Sequence, residues 1–414
     1  MRVDKQHKQV LLLYSSTVIG LVLGILVSVL NTRSLSPSDY GDVKYVSNIM
    51  LFLSGLLTFG FFVSGCRLMA VSDSPQKTAK YKGVMILILI VSILLMFLFM
   101  QFSSLIHKSF LKSEISNLFV LGAFVSASPL LLNYINTTAQ GDNKIFSISM
   151  ARLLPSLVYL IIGYYIYRYF GATSERVIML QNGISLIMLG IIIALSKPMF
   201  SNLKESYGDL KRENKKYGLH VYLGSLAGVS LNYLAGITLG LFNTDNTLVG
   251  FYTLALTISM PLAILPTIIG TTYYKRFALD KKIDKKIFYG TFVMTLISLF
   301  AFIVLIEPLV SILYSREYFV VAKYASVLAI GMAFHGFGDM INRFLAAKGQ
   351  GKMLRNSAFV SGGVLVIGNV VLVYLWGIYG AIGTKIITSV TYFGYMYICY
   401  IKYINKQRLN DLVN

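Results

Sequence analysis

The chain has 414 residues, 56% hydrophobic and 13% charged, with a mean hydropathy of +0.69. A soluble domain carries roughly 25% charged residues, so a soluble enzyme, a nucleic-acid-binding domain and a disordered chain are excluded. The net charge of +20, from 37 Lys+Arg against 17 Asp+Glu, lies in loops between long apolar runs, which is a membrane pattern.

The N-terminus places Arg2, Lys5 and Lys8 before an apolar run from Val10 to Leu30. That run is too long for a signal peptide and lacks a small-x-small cleavage site, so it reads as an uncleaved first span. A membrane helix needs about 20 mostly apolar residues. A dozen such stretches follow one another, at about 9–31, 43–65, 83–106, 116–140, 146–168, 176–196, 217–241, 248–274, 287–313, 320–347, 354–375 and 379–403. Period-2 alternation is absent, which disfavours a β-barrel. Alternate loops differ in charge. With the N-terminus inside, the inner segments hold 26 of the Lys and Arg residues and the outer loops 7. This bias predicts that both termini are cytoplasmic. Cys66 and Cys399 offer neither a disulfide framework nor metal-ligand spacing.

The chain repeats itself at half its length. Gly41 and Gly250 are 209 residues apart, as are Arg67 and Arg276, and Gly171-Ala172 and Gly380-Ala381. Gly141 and Lys144 match Gly349 and Lys352 at an offset of 208. The expected fold is therefore an all-α integral membrane protein, about 12 transmembrane helices in two pseudo-symmetric six-helix bundles around a central cleft. Residues 1–200 form the first bundle, 201–216 a basic cytoplasmic linker and 217–414 the second. Six is even, so the halves share one orientation, and rocking one against the other is a transporter's motion. There is no GxxxxGK[ST], HExxH or Gly-x-Ser-x-Gly. No catalytic cluster and no metal site are expected.

The stretch NTRSLSPSDYGDV, the following span ending GFFVSGCRLMA, the segment AAKGQGKMLRNSA, the basic centre and the late WGIYGAIGTKIIT together resemble bacterial polysaccharide flippases. These are the Wzx-type members of the multidrug/oligosaccharidyl-lipid/polysaccharide exporter superfamily, and the resemblance runs essentially the whole length. It implies translocation of an undecaprenyl-pyrophosphate-linked oligosaccharide repeat unit, for O-antigen, capsule or exopolysaccharide, across the bacterial inner membrane. The implied partners are that substrate, membrane lipids, a polysaccharide polymerase and a chain-length regulator, with no nucleic acid. Two rivals stand beside it: a multidrug cation exporter of the same superfamily, and a membrane-embedded glycan polymerase or ligase. The exporter wants carboxylates in its cleft, where this chain carries mainly bases. The polymerase wants a large catalytic outer loop, where these outer loops are short.

Charge at membrane depth is costly and marks candidate function. His335, Asp339 and Arg343 are spaced i, i+4, i+8 and share one helix face. His335 and Asp339 are the candidate ion-coupling pair. No cofactor is expected, and the coupling ion is a proton or sodium. The alternative is an Asp339–Arg343 ion pair that only orients helices. The candidate cations for a pyrophosphate are Arg152, Arg343, Lys385, Arg67 and Arg276, the last two closing matching spans of the two halves. Snorkelling to headgroups is the alternative for each. Pro129, Pro155, Pro261 and Pro266 fall within spans and permit kinks.

Overall fold

In the computed structural model the described residues are 2–72, 74–228 and 230–413. The side chains of 2–11, 14, 227–230, 275 and 408–413, including those of Arg2, Lys5, Lys8, Lys275 and Arg408, lie outside the described residues. Seventeen α-helices account for nearly all of it, and the described residues contain no strand. They are α1 Arg2–Ser34, α2 Pro37–Leu56, α3 Phe61–Ala70, α4 Pro75–Phe110, α5 Ser116–Val125, α6 Ser128–Gly141, α7 Ile145–Phe170, α8 Ser174–Leu195 and α9 Leu203–Glu213. After these come α10 Leu219–Gly228, α11 Leu234–Phe242, α12 Thr247–Ser259, α13 Pro261–Thr272, α14 Tyr274–Leu279, α15 Lys285–Leu313, α16 Val320–Ala347 and α17 Gly351–Val413.

Ten stretches among the described residues are helical, long and apolar enough to cross a membrane, and α2 with α3 forms an eleventh, bent by 55°. The helix α17 is long enough to cross twice and breaks at Gly377, whose φ of 54° and ψ of −128° are not helical. The twelve expected crossings are thus accounted for. The apolar surface confirms their solvent. In α15, Phe292, Val293, Leu296, Ile297 and Phe300 are all exposed, a band that water would penalise and lipid does not.

Two compact units emerge. The first runs to Tyr233 and includes Thr244–Thr247; the second takes Leu234–Asn243 and everything from Leu248. In the first, α1 packs along α7, α3 along α6, and α4 against α5 and α9. In the second, α16 is the central helix, packed by α13, α15 and α17. The segment expected as a linker, 201–216, contains α9 and runs into a turn of π-helix, Asn214–Gly218; α9 lies against α3 and α4.

Local chemistry explains where helices start and stop. Ser36 and Ser74 cap α2 and α4, each accepting a backbone N–H three residues on, with proline next in sequence. Pro129 and Pro261 open new helices, α6 and α13, whereas Pro155 and Pro266 stay inside theirs. The continuous span expected at 43–65 is instead broken at 57–60, where Phe59 and Gly60 take left-handed φ of 46° and 78°. A break at membrane depth frees carbonyls that lipid cannot satisfy. Here the protein satisfies them: Tyr222 donates to Leu56 O at 2.6 Å, Ser92 to Leu57 O at 2.8 Å and Asn214 Nδ2 to Phe59 O at 3.1 Å. Ser64 donates to Asn214 Oδ1 at 3.1 Å. A Cβ on Gly218 would lie 1.9 Å from Ser64 Oγ, so only glycine lets the π-turn seat there. Asn214→Ala is expected to lower stability by about 1–3 kcal/mol, the cost of leaving a buried acceptor unmade. Thermal melting of the purified protein tests this, with the exposed Lys215→Ala as the unchanged control.

Candidate functional site

The residues with unusual chemistry in the second unit converge on α16. Three helices supply them, and small residues let those helices approach. A Cβ on Gly336 would lie 2.6 Å from Ala263 O of α13, and one on Gly338 would lie 2.5 Å from the Tyr392 ring of α17. Glycine at 338 therefore leaves the space in which Tyr392 lies over α16. From there Tyr392 OH donates to Asp339 Oδ1 at 2.9 Å and accepts from Asn342 Nδ2 at 3.1 Å. Thr267 of α13 donates to Asp339 Oδ2 at 3.2 Å. Both carboxylate oxygens are thus engaged by hydroxyls from facing helices.

The His335 ring packs on the Tyr392 ring with centroids 5.0 Å apart, and its Nδ1 is buried without a hydrogen-bond partner. Lys385, 8% exposed on the second arm of α17, lies within electrostatic reach of both His335 and Asp339. Lys385, Thr388, Ser389 and Tyr392 recur at i, i+3, i+4 and i+7, one helix face. The Thr388 and Ser389 hydroxyls are buried and unpartnered among the described residues. Unspent hydrogen-bonding capacity of this kind in a membrane helix calls for a physical explanation.

His335, Asp339 and Lys385 are therefore brought together, with no hydrogen bond between His335 and Asp339 among the described residues. The hydrogen bonds to Asp339 come from Tyr392 and Thr267. The Asp339–Arg343 ion pair is likewise not formed among the described residues. Arg343 is exposed, with its stem against Gly270. Arg152, exposed on α7, donates to Thr17 of α1 at 3.2 Å. Arg67 is neutralised by Glu213 at 2.7 Å and lies over Tyr217. Arg276 is held by Asp280 at 3.0 Å and Asp284 at 3.1 Å. The two matching arginines are thus each paired to nearby acids.

Two clusters in the first unit are absent from the sequence reading. Lys82, its side chain 5% exposed, reaches Asp142 at 2.6 Å, and Lys144 reaches the same carboxylate at 3.0 Å. Burial pushes the Asp142 carboxyl up, but the hydrogen bonds and charges of the two lysines outweigh it and hold it below its ordinary value. Asn31, Tyr159, Tyr167 and Gln181 form a hydrogen-bonded chain linking α1, α7 and α8. The lone acid in the basic GDNK loop was the only sequence signal for the first cluster; the second had none.

A family model described as polysaccharide biosynthesis protein matches residues 7–278. The chain belongs to that family. A comparison with curated proteins finds no match. Solved structures share its fold. A structure described as lipid II flippase MurJ in an inward closed conformation is 16% identical with a TM-score of 0.72, covering 97% of this chain and 91% of that one. An inward-facing multidrug resistance MATE family transporter of the MOP superfamily is 15% identical with a TM-score of 0.67, covering 94% and 95%. A eukaryotic MATE transporter is 14% identical with a TM-score of 0.59, covering 99% of each chain. At these identities the likeness is one of fold. The family member described here is a multi-pass, all-helical membrane protein with that fold.

Proposed function

We propose that this protein is a flippase. It moves an undecaprenyl-pyrophosphate-linked oligosaccharide repeat unit across the bacterial inner membrane by alternating access, and it is not an enzyme. The observation that carries the reading is the polysaccharide biosynthesis family match on a fold shared with a lipid II flippase and MATE transporters. The charges in or at the edge of the spans agree with an anionic headgroup: the bases Lys44, Arg152, Arg343 and Lys385 outnumber the acids Asp339 and Glu307. A pyrophosphate leaving water needs paired positive charge.

The energetics close without ATP. Each negative charge moved outward through the full potential gains about 2.3 kcal/mol per 100 mV. Two net charges gain about 4–5 kcal/mol, a bias of roughly a thousandfold. A proton returning inward adds to the drive, and His335, Asp339 and Tyr392 are the exchange site. An unpartnered buried imidazole nitrogen beside a hydroxyl-held carboxylate supports that role.

Proteoliposomes with potential and pH gradient imposed separately test the proposal. Outward flipping of a fluorescent polyprenyl-pyrophosphate oligosaccharide, driven by the potential, is the expected result. Export of a cationic dye in its place rejects flipping in favour of the multidrug reading.

Neutralising Arg152 and Arg343 together is expected to cut flipping at least tenfold at normal protein levels, whereas Lys108→Ala leaves it unchanged. One lost charge-assisted contact is worth about 1.5–3 kcal/mol, so a smaller change from the double variant removes both arginines from the site.

Orientation has its own test. Ser201 and Asp245 are exposed, while Asn246 is 1% exposed and bonded to Asp42 and Lys112. With cytoplasmic termini, cysteine at Asp245 is labelled in whole cells by an impermeant thiol reagent, and cysteine at Ser201 only after lysis. The reverse pattern rejects the orientation.

A further inference from the structure

The broken span has a cavity beside it. About 480 Å³ of space lies between Phe59 and Phe61, which flank the break, the Val84–Ser92 stretch of α4, and Leu203, Lys204 and Tyr207 of α9. That volume is in the range of small-molecule sites, about 300–1,000 Å³. Its walls are apolar, and two of the lining residues on the membrane-spanning α4, Leu87 and Val91, are 42% and 58% exposed. Such a lining on a span suits an apolar chain rather than a polar solute.

One end is different. Lys204 is the only charged residue of the lining, and it has no ion-pair partner among the described residues. It stands on α9, which lies across the polar start of α4. One of the acids on α9 is neutralised, Glu213 by Arg67, while Asp209 accepts from the neutral Tyr81 hydroxyl at 3.2 Å and keeps its charge. With Glu213 paired, Lys204, Lys211 and Arg212 are exposed against the carboxylates of Glu205 and Asp209. The rim is a cation standing at the end of an apolar slot, the complement of a lipid with a long chain and a negative headgroup.

We propose that this cavity binds one anionic phospholipid, with an acyl chain in the slot between α4 and the break and its phosphate on Lys204. The site shares no residue with the His335–Asp339 cluster and does not depend on what the protein transports. Its place against Phe59 and Phe61 makes the bound lipid a prop for the broken span.

The test uses the full chain in neutral detergent. Trp376→Phe removes the sole native tryptophan, and Tyr207→Trp puts a reporter at the rim. Phosphatidylglycerol with brominated chains is titrated against brominated phosphatidylcholine. Saturable quenching at one lipid per chain is expected, with half-saturation about tenfold lower for the anionic lipid. Lys204→Glu should erase that preference. Ile88→Phe with Val91→Phe, which crowds the slot, should abolish saturation for both lipids. Linear quenching without saturation, equal affinity for the two lipids, or an unchanged preference in Lys204→Glu overturns the proposal. So does displacement by undecaprenyl phosphate at lower concentration than by phosphatidylglycerol, which assigns the slot to the transported lipid instead.

Discussion

Asp339→Asn is expected to uncouple transport from the pH gradient. The amide keeps the shape of the carboxyl and a hydrogen bond to Tyr392, so the helix packing survives. What is lost is the one acidic side chain of the α16 cluster. If one proton is exchanged per cycle, its loss forfeits about 2.3 kcal/mol of drive per 100 mV, or roughly a 50-fold lower transport ratio at that potential. His335→Gln separates the roles: loss of pH response with potential-driven flipping intact assigns the proton to the imidazole. A shared role predicts that Tyr392→Phe, which removes the hydroxyl between ring and carboxylate, reproduces part of the Asp339→Asn loss. Potential-driven flipping and pH response both unchanged in Asp339→Asn would remove the cluster from the mechanism.

Asp142→Asn is expected to be the most destabilising conservative change in the first unit. It strips the carboxylate from Lys82, whose side chain is 5% exposed, and leaves that ammonium without its ion-pair partner. Breaking a buried pair costs about 3–5 kcal/mol. Asp142 keeps 23% exposure, so about 3 kcal/mol is the expected loss. The pH dependence has a fixed sign. A carboxyl whose folded pKa is held down contributes stability above its unfolded pKa and loses it as pH falls through the folded value. The thermal midpoint of the parent chain should therefore drop as pH falls below about 4, and Asp142→Asn should lose this part of the slope. The paired change Lys82→Met with Asp142→Leu should recover most of the stability, since replacing both ions by apolar groups removes the orphaned charge. Equal melting of Asp142→Asn and parent from pH 4 to 7 would show that the pair contributes nothing.

The twelve crossings were legible because hydropathy is a bulk property: about 20 apolar residues in a row leave a helix few alternatives in lipid. The positions of proline and glycine also said where helices are interrupted, though not how. Pro261 could have kinked one helix and instead opens another. The break within α17 falls at Gly377, inside the expected gap between 375 and 379, and Gly380 serves a close approach, its Cβ position only 1.9 Å from Leu372 O.

The break at 57–60 lies in a stretch apolar enough to read as one span. It exists because Tyr222, Ser92 and Asn214 come from distant parts of the chain to take its carbonyls. The candidate site divides in the same way. Helical spacing alone put His335 and Asp339 on one face. Which group each one meets was decided by the facing helices, where Tyr392 and Thr267 reach Asp339 across 53 and 72 positions of sequence. Lys82 and Asp142, 60 positions apart, find each other only when α4 and the loop after α6 are brought together. A charge's depth can be counted along a chain, but its partner is set by which helices pack, and that depends on side-chain shape across the whole unit.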